Sequence, residues 1–124
     1  MSIKMLFTMA AVLTAVLGVA WLFAPAFMLA DLGITGDTVD LYMGRRYGGM
    51  FFGYCTLLWL ARGASASPAR RAIVACWFAV TAVLAVVSTI GVAGGIVGPH
   101  GWVAVVIEAL LAIGFGSHLL RAQA

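Results

Sequence analysis

"LYMGRRYGGMFFGYCTLLWLAR", residues 41–62, decides the fold, because it is an apolar segment with two arginines near its start. The uninterrupted apolar part, residues 47–61, covers roughly 22 Å at about 1.5 Å per residue, against a hydrocarbon core about 30 Å thick. It is too short to span alone. A crossing helix must therefore begin near Leu41 and carry Arg45 and Arg46 at its outer end.

The rest of the chain sets the context. Of its 124 residues, 65% are hydrophobic and 9% charged, far from the roughly 25% charge of soluble domains. That balance predicts an integral membrane protein and one all-α domain over residues 1–124, with no linker and no internal repeat. The basic residues punctuate apolar runs instead of forming a solvated patch, so the net charge of +3 signals topology and not nucleic-acid binding.

Four apolar segments are expected to cross the membrane as a four-helix bundle: about 5–24, 41–61, 72–91 and 101–120. Each is close to the 20 residues a span requires. The first exceeds the 7 to 15 apolar residues of a secretory signal core, which predicts a retained span. With the N-terminus inside, Lys4, Arg62, Arg70, Arg71 and Arg121 fall on one side, leaving Arg45 and Arg46 on the other. The positive-inside rule then places both termini in the cytoplasm.

Between the first two segments, "PAFMLADLG" carries a Pro suited to a first helical turn and a Gly suited to a stop. A short interfacial helix is expected there, with Phe27, Met28 and Leu32 on lipid and Asp37 or Asp40 capping the next span. The Gly-rich "GVAGGIVGPHG" predicts a tight or partly re-entrant connection.

Lipid tails are as apolar as Leu, so helices in a bilayer associate through close contact of small residues. Gly44 with Gly48 and Gly49 with Gly53 supply such pairs on the second span, and Ala75 with Ala79 on the third. These faces close the bundle, or one of them meets another chain. A protein this small can do both.

Glu108 is the one acid well inside a span. Counted from the segment starts, it lies about 10 Å below the outer face and the two arginines about 6 to 8 Å, which predicts a polar pair of Glu108 with Arg45 or Arg46. An unpaired charge near mid-membrane costs at least about 2.5 to 3.5 kcal/mol. Arg45 is expected to point inward on a stripe with Gly48, Gly49 and Phe52, and Arg46 to snorkel outward. The pair either fixes helix register or forms a pocket that exchanges a proton and holds an anionic group.

No metal or cofactor is expected. Cys55 and Cys76 form no ligand motif, and His100 and His118 stand about 27 Å apart on one helix. No nucleophile and base share a recognisable spacing, so the chain is not expected to be an enzyme.

"WLFAPAFML", then "GRRYGGMFFGYCTLLWLARG", then an acid at Glu108 resemble the small bacterial four-helix membrane proteins of unknown function grouped loosely with DoxX-like proteins. The resemblance implies that architecture and a bacterial inner membrane, and transfers no activity. The leading expectation is a non-catalytic bundle acting by assembly, as a homo-oligomer or an accessory subunit, with lipid and other membrane chains as its partners. The alternatives are a small proton-coupled transporter using Glu108 and Arg45, and a membrane enzyme acting on an apolar substrate.

Overall fold

The computed structural model describes residues 1–121. Among these the chain forms five helices and no strand: α1 Ile3–Phe23, α2 Pro25–Asp31, α3 Thr38–Ala61, α4 Pro68–Ala93 and α5 Gly101–Arg121. The all-α expectation holds, and each expected apolar segment lies within a helix or within a residue of one. The short helix expected between the first two segments is α2.

Local chemistry sets the ends. Ser2 caps α1 through Met5 N, and Ser67 caps α4 through Arg70 N, with Pro68 in the first turn, where its missing N–H costs nothing. α3 starts on a capping box: Asp37 accepts from Val39 N and Asp40 N, and the Asp40 carboxylate accepts from Asp37 N at 3.0 Å. Both acids act together where either alone was expected. After α2, Gly33 takes φ +72° and its N–H returns to Ala30 O, the left-handed stop that glycine makes without strain.

Three helices, α1, α4 and α5, are long and apolar enough to cross a membrane. Four were expected. At 24 residues α3 has the length, about 36 Å, but Arg45, Arg46 and its glycines dilute the apolar content over any span-length window. The surface fits a membrane protein: Phe23, Leu60, Ile113 and Leu120 are each about seven-tenths exposed, among many other large apolar side chains, and so much exposed apolar surface is rare on soluble monomers.

The helices associate as two antiparallel pairs, α1 with α3 and α4 with α5. The pairs meet mainly at the end where α1 begins and α5 finishes. There Leu6, Phe7, Leu58, Val74, Trp77 and Phe115 form one buried cluster. Phe115 stands 5.9 Å from both Phe7 and Trp77, and Trp77 makes a T-shaped contact with Tyr54 at 5.3 Å, spacings at which aromatic quadrupoles attract. At the opposite end the pairs join through loops, where Gly98 N donates to Leu32 O at 2.7 Å and His100 meets Asp31 at 3.1 Å.

Candidate functional site

The α1–α3 contact is made by glycine. A Cβ on Gly48 would lie 2.7 Å from Leu22 N and 2.9 Å from the Gly18 carbonyl oxygen, and one on Gly44 would lie 3.0 Å from both Pro25 and Trp21. Gly44 and Gly48 therefore lie on the face of α3 that packs against α1. Gly49 and Gly53 do not: nothing stands within 4 Å of a Cβ at either position. One residue is a rotation of about 100°, enough to carry the second pair off the α1 contact.

Ala75 and Ala79 are likewise exposed, while Val74, Trp77 and Thr81 carry the buried side of α4. Their expected packing role is absent within this chain. The small residues that do seat neighbours include Gly116, where a Cβ would lie 3.1 Å from the Phe78 ring, and Gly114, where it would lie 3.1 Å from Leu6. Both escaped the sequence reading as pairs because each receives a large side chain and not another small residue.

These contacts also fix depth. Phe7 faces Phe115 in antiparallel helices, so Thr14, seven residues on from Phe7, is level with Glu108, seven residues before Phe115. On the other side, Gly48 faces Gly18 and Leu22 and Gly44 faces Trp21 and Pro25, which sets Arg45 level with the last turn of α1. Glu108 therefore stands about 12 Å along the bundle axis from Arg45, at 1.5 Å per residue. The expected Glu108–Arg45 or Glu108–Arg46 pair is not formed: among the described residues the one close contact of an acidic with a basic side chain is Asp31 with His100. Measuring both depths from helix starts fails because α3 projects past the end of α1 and α5 does not.

Arg45 and Arg46 are both exposed. Arg46 lies over its own Tyr42 ring at 5.9 Å, with Nη1 3.5 Å from the Tyr42 hydroxyl. Arg45, expected to point inward, lies with Gly49 and Phe52 on the exposed side, and of that stripe only Gly48 is buried. The outer face of α3 thus carries two guanidinium groups near its start and an open glycine pair one to two turns further on.

Glu108 occupies the inward stripe of α5 with Ala112 and Phe115. Its carboxyl faces Ser88 of α4, and its Oε2 is buried without a hydrogen-bond partner. The two buried hydroxyls of the bundle are committed within their own helices. Thr14 donates to Ala10 O at 2.9 Å, and Thr81 to Trp77 O at 2.7 Å. No ionic partner relieves Glu108, so the arrangement is a lone mid-bundle acid with one buried oxygen open to a hydrogen-bond donor. Among the described residues no three His, Cys, Asp or Glu side chains cluster as a metal site. No protein-family model, curated protein or solved structure matches the chain.

Proposed function

We propose that this protein is a four-span integral membrane protein that acts without catalysis, by helix packing, as a homo-oligomer or as an accessory subunit of a larger membrane complex. The observation that carries the reading is the open Gly49–Gly53 pair on α3. α3 uses one small-residue face to seat α1 and leaves a second unoccupied, with the spacing that lets helices approach closely in lipid. Arg45 and Arg46, nearer the outer end, reach lipid phosphates or an acidic partner side chain from the same face.

The fourth crossing is supported by pairing. α3 lies antiparallel along most of α1, so a membrane that α1 crosses encloses the apolar part of α3 as well. The basic residues Lys4, Arg62, Arg70, Arg71 and Arg121 gather where α1 begins and α5 finishes, which favours both termini in the cytoplasm. A bacterial inner-membrane location rests on the resemblance to small four-helix, DoxX-like proteins.

Crosslinking tests the assembly. With Cys55 and Cys76 replaced by Ala, Gly53→Cys in native membranes is expected to give a disulfide-linked product on mild oxidation, of twice the chain mass for self-association and of a different mass for a foreign subunit. Absence of any product from Gly53→Cys, alongside efficient labelling by a maleimide, overturns the reading.

A second reading is favoured by one observation, the unpartnered Oε2 of Glu108. A small proton-coupled transporter would work through that carboxyl, as intramembrane acids commonly do. Arg45 stands too far along the axis to share such a site.

A further inference from the structure

Among the described residues, the end of the bundle where α1 begins and α5 finishes carries side-chain charge of one sign. Lys4, Arg62, Arg70, Arg71 and Arg121 lie there, whereas Asp31, Asp37 and Asp40 lie at the opposite end and Glu108 in the middle. Among the described residues no acidic side chain balances this group. A cleft of about 460 Å³ opens at the same end, with Arg70, Arg71 and His118 as its basic lining and Ile3, Val74 and Leu119 as its apolar one. Its size is within the range of small-ligand sites.

The basic groups are placed by the fold. Arg70 is held at the cleft by donation from Nη1 to Ala64 O at 2.7 Å, which leaves its other N–H groups available. Among the described residues neither Arg71 nor His118 meets an acidic side chain. Ser67 and Pro68, also on the wall, begin the 26-residue α4, so the positive end of that helix dipole points the same way. The apolar part of the wall leads to the hydrophobic sides of α1, α4 and α5, the three helices suited to crossing a membrane.

A soluble anion needs only the basic part of this wall. An amphiphile with an anionic head uses both parts, and the end of a membrane bundle is where such heads lie. We propose that the cleft binds the phosphate headgroup of an anionic membrane lipid, with Arg71 and His118 as its contacts and the acyl chains leaving over Ile3, Val74 and Leu119. The proposal rests on the spanning reading of α1, α4 and α5 and is independent of the assembly face on α3.

The full chain in nanodiscs of equal phosphatidylglycerol and phosphatidylcholine, released and weighed by native mass spectrometry, tests it. The expected result is retention of phosphatidylglycerol over phosphatidylcholine, reduced about fivefold by Arg71→Gln and further by the Arg71→Gln, His118→Gln pair. Arg71→Lys is expected to restore most of the preference, since a headgroup phosphate accepts either cation. Arg62→Gln, a charge removed at the same end but outside the cleft, is expected to leave it unchanged.

Equal loss in Arg62→Gln overturns the site in favour of diffuse attraction. Absence of any preference in the parent overturns it outright, as does displacement of the retained lipid by millimolar inorganic phosphate, the mark of a soluble-anion site. A chain that fails to enter the nanodisc contradicts the spanning reading itself.

Discussion

Gly18 and Gly48 meet backbone to backbone, so closely that a Cβ on Gly48 would stand 2.9 Å from the Gly18 carbonyl oxygen. The contact belongs to the α1–α3 pair and cannot relax by rotating a side chain, since the second obstacle is Leu22 N. Gly48→Ala is therefore expected to lower the melting temperature in detergent markedly. Gly49→Ala, one residue on and in open space, is expected to leave it unchanged or slightly raised, because Ala is favoured over Gly in a helix by about 1 kcal/mol. Differential thermal unfolding of the two variants checks this. Equal melting would show that α3 does not seat on α1 through Gly48.

Phe115 is fully buried and touches rings from two other helices, so it joins the α1–α3 pair to the α4–α5 pair. Phe115→Ala is expected to cost about 3 to 5 kcal/mol, as buried aromatic truncations do. Limited proteolysis should then cut first in the α3–α4 turn, where the pairs separate. Phe78→Ala, at a two-fifths exposed position, is expected to cost far less.

Glu108 has no ionic partner, and this reverses a prediction that the sequence invites. A bridge to Arg45 would make both Glu108→Gln and Arg45→Gln destabilising. With the two residues about 12 Å apart along the axis, Arg45→Gln is expected to be neutral and Glu108→Gln neutral or stabilising, because the amide keeps hydrogen-bonding capacity and removes an ionisable group. A double-mutant cycle of melting temperatures should give no coupling. Coupling above about 0.5 kcal/mol would restore the pair.

Crossing by α3 places residues 33–36 and residue 63 on opposite sides of the bilayer. In a chain with Cys55 and Cys76 replaced by Ala, Thr35→Cys is expected to react with an impermeant maleimide from outside intact cells, and Gly63→Cys only after lysis. Reaction of both from the same side would remove α3 from the set of crossing helices.

The helices themselves were legible because long apolar runs and end signals are local. Pro25 and Gly33 bracket α2, and Asp37 and Asp40 mark the start of α3. Helix depth was not legible, since it is set by which residue faces which across the bundle. Leu41 and Gly101 looked like equivalent starting planes, yet the Gly48–Gly18 and Phe7–Phe115 contacts stagger them. Small-residue spacing was equally ambiguous. Gly44–Gly48 and Gly49–Gly53 share one pattern, and only the backbone of α1 distinguishes the seated pair from the open one.

The mass of the assembly in a bilayer tests the central claim most directly. The parent chain extracted with its lipid annulus is expected to run as an oligomer or with a second protein, and Gly49→Leu, Gly53→Leu as a folded single chain with unaltered melting of its own helices. A parent that is a single chain at every lipid-to-protein ratio, in its native membrane as in the nanodisc, would contradict assembly through the outer face of α3.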